Sequence, residues 1–274
     1  MLKRTITGIV GVILAAVIIT MGGELFAGVS LILALIAWKE YAAAFKNIDA
    51  PVPLFTGGVI IAALLGASYF CPKDGMIGVI MLGSLILFLG SLIHFDKGGF
   101  NTASVSVAGF IYVGLAFSHL ILLRFYEPQN IIETALGNFT MGEALIWLMF
   151  IGTWASDSFA YFAGCAMGKQ PLAPDISPKK TVEGFVGAVI GTTLLIFVIG
   201  HFFFGFNLLL MTPLGIALAI FGALGDLVES TLKRYTKIKD SGNLIPGHGG
   251  VLDRFDSVMF NAPIVYYFAV FVLQ

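Results

Sequence analysis

Long apolar runs follow one another along this chain, and they leave a water-soluble fold almost no polar surface to present. Hydrophobic residues make up 58% of the 274 residues and charged residues only 11%. The runs are continuous and do not alternate, which favours helices over a transmembrane barrel. One bilayer crossing needs roughly 20 apolar residues. Segments of that kind lie at about 5–22, 25–45, 54–71, 76–94, 104–125, 143–168, 181–204, 211–232 and 251–273. The expected fold is therefore all-α, a polytopic integral membrane protein with about nine transmembrane helices.

The basic residues orient those spans. With the N-terminus in the cytoplasm and the C-terminus outside, only Lys73 and Arg124 of the fifteen Lys and Arg residues fall on the outer side. Such an inside bias is the usual topological signature. Lys3 and Arg4 precede the first run as they would in a signal peptide. No convincing small-residue cleavage site follows, so a retained helix is expected. Cys71 and Cys165 fall on different segments and suggest neither a disulfide nor a metal pair. One membrane domain spans 1–274, with residues 1–125 mainly scaffold and residues 139–274 carrying the polar positions. The polar loop around Pro128 separates the two parts.

Three segments carry polar stripes. Trp154, Asp157, Ser158 and Tyr161 follow i, i+3, i+4 and i+7, one helical face. A carboxylate at membrane depth costs several kcal/mol unless paired or solvated. Asp157 is therefore either a functional group or a polar contact between helices. Asp226, Glu229, Ser230, Lys233 and Lys237 share a second face. A solvated helix end accounts for the lysines but not for the two acids within the apolar run. Asp253, Arg254, Asp256 and Ser257 open the last segment. Asp226 and Asp253 would supply oxygen ligands to a divalent cation, and magnesium suits such donors when substrate phosphates and water complete its shell. There is no Cys/His cluster suited to zinc.

Two loops accompany the stripes. Pro246-Gly-His-Gly-Gly250 precedes the final segment, where free backbone amides and a helix N-terminus favour an anion. Glycines also serve turns, but the position of this one between Asp240 and Asp253 favours the anion reading. Ser177-Pro-Lys-Lys-Thr-Val-Glu-Gly184 puts Lys179 and Lys180 at a helix start. Membrane anchoring explains those lysines equally well, but the added Thr181 and Glu183 tilt the reading towards a substrate role. Gly164 and Gly168 resemble a P-loop only superficially, because three residues separate them and Gln170 follows Lys169. Close helix packing is the expected use.

The run S-x-x-K-R-x4-K-D-x-G-x2-L/I-P-G-H-G-G-x-x-D-R-x-D, Ser230 through Asp256, resembles the signature of phosphatidate cytidylyltransferases. Trp154–Tyr161 and Ser177–Gly184 resemble accompanying motifs of that family. The resemblance implies that CTP and phosphatidate react to CDP-diacylglycerol and pyrophosphate. It also implies a homodimeric, multi-pass enzyme of the cell inner (plasma) membrane that uses Mg2+, assisted by K+. The site would face the cytoplasm, where the basic residues fall. Asp226 and Asp253 would then hold the metal, with Asp256 and Asp157 in support. Lys233, Arg234, Lys237 and Lys239 would bind the CTP triphosphate or the lipid phosphate. His248, Gly249 and Gly250 would shape the phosphate pocket. Ser230, Lys179, Lys180, Asp240 and Arg254 complete the expected substrate site. Membrane lipids are the surroundings, and no nucleic-acid partner is expected.

Two rival readings exist. A CTP-dependent lipid kinase would move the γ-phosphoryl group and leave CDP. A secondary transporter would also place charges at membrane depth, but with repeated halves and broken helices at the midplane.

Overall fold

The computed structural model describes residues 2–93, 99–244 and 249–273, with side chains from residue 7 onward. Helix dominates these residues. The helices are α1 (Leu2–Met21), α2 (Gly23–Lys46), α3 (Leu54–Phe70), α4 (Asp74–Ile93), α5 (Gly99–Arg124), α6 (Met141–Met167), α7 (Val182–Phe203), α8 (Leu208–Tyr235) and α9 (Leu252–Val272). The backbone widens to a π-helical turn over Phe110–Leu115 in α5 and over Ile199–Phe203 in α7. Among the described residues, six helices are long and apolar enough to cross a membrane: α2, α4, α5, α7, α8 and α9. The molecule is a multi-pass membrane protein by this measure. Helix α3 and the Thr7–Met21 stretch of α1 are apolar but shorter. Helix α6 is 27 residues long and carries Glu143 and Asp157.

Two antiparallel hairpins depart from the all-helical expectation. Strand β1 (Ile131–Thr134) pairs with β2 (Gly137–Thr140), and β3 (Pro171–Ala173) with β4 (Ser177–Thr181). Neither shows the apolar alternation by which a strand announces itself. Both end on a threonine that caps the next helix. Thr140 accepts from the Glu143 amide at 3.2 Å, and Thr181 from the Gly184 amide at 3.1 Å. A threonine oxygen in that position satisfies an otherwise orphaned helix-start donor.

The chain divides into two compact units. The first comprises Met1–Leu122 and Leu232–Phe255. Its core forms around Trp38, Tyr41 and Phe45 of α2. The Trp38 and Tyr41 rings stack at 5.8 Å, and those of Tyr41 and Phe45 lie 4.6 Å apart. The Trp38 indole donates to the Leu54 carbonyl and the Tyr41 hydroxyl to that of Val105, each at 3.0 Å. A side chain at Gly57 or Gly109 would strike these rings, so glycine there permits the packing. Phe45 also meets Tyr235, with centroids 6.1 Å apart. On α4, Met81, Leu85, Leu89 and Ile93 form an exposed apolar stripe at i+4 spacing, and only 17% of its most apolar window is buried. A soluble monomer rarely exposes such a face; lipid covers it at no cost.

The second unit comprises Leu123–Thr231 and Asp256–Gln274. Its tightest packing joins α6 and α7. Gly184, Gly187 and Gly191 lie where a β-carbon would collide with the Ala160 carbonyl, the Ala163 side chain and the Phe159 ring. Small residues let helix backbones approach in lipid, where dispersion replaces the hydrophobic effect. Gly164 faces Thr181 and Gly184, and Gly168 meets Thr181, so this pair packs as expected and forms no P-loop. Asn261 donates to Thr153 Oγ1 at 2.9 Å, and Ser257 Oγ to the Gly222 carbonyl at 2.9 Å. These polar contacts fasten α9 to α6 and α8 within the unit.

Candidate active site

The expected site residues fall into two groups, one in each unit. In the second unit a cavity of about 430 Å3 is lined by Asp157, Tyr161, Lys179, Lys180, Thr181 and Asp226, among others. Two sequence motifs, from α6 and from β4, meet there beside Asp226 of the polar stripe on α8. The Lys180 ammonium pairs with Asp226 Oδ2. Asp226 Oδ1 accepts from Ser230 Oγ at 3.3 Å, one helical turn on. Asp256, at the start of this unit's share of α9, lies within electrostatic range of Asp226, Glu229 and Asp157. Its Oδ1 accepts from the Ser257 amide at 2.7 Å. Four acids near one another on three apolar helices call for positive charge, which Lys180 supplies in part.

Backbone packing makes this gathering possible. At Gly225, next to Asp226, a β-carbon would run into the Asp256 carbonyl. Gly225→Ala must therefore push α8 and α9 apart at the acidic cluster. Overpacking of that kind costs about 1–3 kcal/mol, and turnover should fall by roughly tenfold or more as the cluster opens. Thermal denaturation and assay of the purified variant check both. Gly66→Ala, where a β-carbon meets nothing within 4 Å, is the neutral control.

The loop that carries the lysines is built by Glu183. Its carboxylate accepts from the Lys169 amide at 3.0 Å and from the Gln170 amide at 3.2 Å. The acid of the Ser177–Gly184 motif thus shapes the loop, while Lys179 and Lys180 line the cavity.

The first unit holds Asp253. Oδ2 accepts from the amides of Ser241 and Gly250, both at 2.8 Å. Oδ1 accepts from Lys233 Nζ at 2.9 Å, and the Asp253 side chain is only 5% exposed. Gly249 adopts a φ of +87°, which glycine tolerates, and a β-carbon there would crowd the Asp253 carboxylate. The Gly-rich turn was expected to offer open amides to an anion. The Gly250 amide instead binds Asp253, and those of Val251 and Leu252 bind Glu40 at 3.0 and 2.9 Å. Arg234, Lys237, Lys239, Asp240 and Arg254 are exposed. His248 lies outside the described residues.

Sequence reasoning passed over Glu40, an acid beside Lys39 in the last third of a plain apolar helix. It also passed over Glu143, which lies 3.9 Å from Arg124. For Glu143 a signal existed, since Thr140-Met-Gly-Glu143 has the spacing of a helix-capping box. Among the described residues no three His, Cys, Asp or Glu side chains form a ready-made metal cage. That pattern excludes neither carboxylates nor water as magnesium donors, because Mg2+ needs only one or two protein carboxylates when phosphates join it.

Residues 2–272 match the Cytidylyltransferase family. The chain belongs to that family. Relatives extend the agreement over nearly full length on both sides. The chain is 36% identical over 266 residues to a protein of Staphylococcus haemolyticus, covering 96% of each chain. It is 35% identical over 266 residues to one from Staphylococcus saprophyticus, and 36% over 268 residues to one from Staphylococcus aureus strain COL, again with 96% coverage of each. All three relatives bear the name phosphatidate cytidylyltransferase. The three motifs that resemble this family are thus parts of an end-to-end similarity, and within the cytidylyltransferase fold two of them line one cavity.

Proposed function

We propose that this enzyme transfers the cytidylyl group of CTP to phosphatidate, forming CDP-diacylglycerol and pyrophosphate. Membership of the Cytidylyltransferase family and the shared name of its relatives support the reaction. The observation that carries the site assignment is the cavity in which Lys179, Lys180, Asp157 and Asp226 meet. A phosphatidate oxygen attacks the α-phosphorus of CTP, and the bond from that phosphorus to the bridging oxygen of pyrophosphate breaks. The phosphate is already anionic at neutral pH, so little general-base help is needed. Catalysis then consists of bringing two polyanions together and offsetting the charge that develops.

Lys179 and Lys180 are placed to draw a phosphate into the cavity. Asp226 holds the Lys180 ammonium in position until substrate arrives. In the other unit, Lys233 is oriented by Asp253, and the exposed Arg234, Lys237 and Lys239 attract nucleotide phosphates from solution. Magnesium is assigned to Asp226 and Asp253. Asp226 fits this ion, since carboxylate oxygens suit it and the acids near Asp226 outnumber the cation beside them. Asp253, by contrast, would have to exchange Lys233 or a backbone amide for it. When bound, the ion would neutralise phosphate charge and the pyrophosphate leaving group. The homodimer and the assisting K+ rest on the family resemblance alone.

The proposed setting is the cell inner membrane, with the site facing the cytoplasm. Helices α1, α3 and α6 would add to the six long apolar helices, leaving the N-terminus inside and the C-terminus outside. A reporter that is active only outside the cytoplasm should therefore work when fused after Gln274. Activity of a reporter that folds only in the cytoplasm, fused at the same point, would argue against an odd number of crossings.

Cys165 offers a direct probe of the cavity, because this free thiol is exposed on its wall. In a Cys71→Ser background, a bulky maleimide should abolish most turnover, and prior binding of CTP or phosphatidate should slow the labelling. Full activity after stoichiometric labelling would place the reaction elsewhere.

A further inference from the structure

We infer that Glu40, in the plain apolar part of the chain, is a positioning residue that sets the orientation of Asp253 and, through it, of Lys233. The inference rests on the role of Asp253 and Lys233 proposed above. Glu40 is 7% exposed and its two oxygens divide the labour. Oε1 accepts from the Val251 amide at 3.0 Å and Oε2 from the Leu252 amide at 2.9 Å. These are the donors with which α9 begins, and charge-assisted bonds at a helix start are both strong and directional.

Two glycines exist to let this carboxylate in. A β-carbon at Gly242 or at Gly250 would collide with the Glu40 carboxyl group. The loop before α9 therefore touches Glu40 on both of its arms. One residue beyond Leu252, Asp253 turns back over the same loop to take the Ser241 and Gly250 amides. Two carboxylates thus fix four amides, those of Gly250, Val251 and Leu252 in succession and that of Ser241. The remaining oxygen of Asp253 is left to hold Lys233 at 2.9 Å. Removing Glu40 frees the first turn of α9, and Asp253 and its lysine move with it.

Glu40 itself is held rigidly. Its helical neighbours Trp38, Tyr41 and Phe45 are packed ring against ring, and the first two are tied by hydrogen bonds to α3 and α5. A bond to a fixed anchor locates a loop, whereas a bond to a mobile one only follows it.

The test compares Glu40→Ala, Glu40→Gln and Asp253→Asn with the unaltered full-length enzyme in phosphatidate-containing micelles. Amide exchange over 241–253 is measured beside kcat and KM for each substrate. In Glu40→Ala the Val251 and Leu252 amides should exchange about tenfold faster for each bond lost. The value of kcat/KM for CTP should fall by about 10–100-fold, as for other groups that orient a site residue, with KM for phosphatidate unchanged. Glu40→Gln keeps one acceptor oxygen and should restore part of both. Faster exchange with unchanged kcat/KM, lower kcat/KM with unchanged exchange, or a glutamine variant no better than alanine each overturns the inference. A fully active Asp253→Asn would remove the underlying reading. An inactive Asp253→Asn beside a fully active Glu40→Ala would remove this inference alone.

Discussion

Asp226→Asn should insert, fold and purify like the parent protein, yet lose cytidylyl transfer by on the order of 10^3-fold. The fold survives because the Lys180–Asp226 pair is partly solvated, with side chains 26% and 34% exposed. Pairs in that setting contribute little to stability, about 0–1 kcal/mol. Function does not survive, because three properties leave with one charge. Lys180 loses the acid that holds it at the cavity wall, Ser230 loses a charged acceptor, and the proposed magnesium loses a donor. Removing one preorganised electrostatic group from an active site already costs about 10^2–10^3-fold. Thermal denaturation and steady-state assay of the same preparation separate the two effects. A variant with more than a tenth of the parent kcat would mean that Asp226 serves packing only.

Asp253→Asn should be worse in a different way, combining loss of turnover with loss of stability. Its side chain is almost fully buried, and one carboxylate serves two amides and an ammonium. Asparagine can offer a single oxygen, and its amide group then confronts a donor. Breaking a buried charge pair while leaving its partner in place costs roughly 3–5 kcal/mol, and the partly exposed Lys233 should bring this towards the lower figure. The double variant Lys233→Met with Asp253→Asn removes the stranded ammonium and should recover much of that stability while remaining inactive. The coupling between the two changes, read from a double-mutant cycle, should exceed about 1 kcal/mol. Additive effects would show that the pair is not a unit.

Much of this was legible in the sequence, for physical reasons that can be named. Helices showed in the length of the apolar runs, because a bilayer demands unbroken stretches. Periodicity brought Asp157 and Tyr161 to one face, and both line the cavity with Asp226. The lysines of Ser177–Gly184 were ambiguous in sequence, since anchoring and binding use the same residues. Their position on the cavity wall favours binding. Other features left no local trace. The partners of Glu40 are backbone amides 211 and 212 residues away, and backbone amides have no sequence signature. The Gly-rich turn was equally opaque. Its glycines suit an open anion cradle and a loop wrapped around the chain's own carboxylates, and here Glu40 and Asp253 take the amides of Gly250, Val251 and Leu252. The division into units was hidden as well, because it assigns Leu232–Phe255 to the apolar N-terminal part although the polar motif runs on to Asp256.

Fate of label from CTP is the most direct test of the central claim. The purified enzyme is incubated with phosphatidate, Mg2+ and CTP labelled either at the α- or at the γ-phosphorus, and the lipid and aqueous phases are counted. Cytidylyl transfer sends the α-label into lipid and the γ-label into pyrophosphate, in equal amounts. Appearance of the γ-label in lipid with release of CDP, or phosphatidate left unlabelled by either nucleotide, would contradict the account.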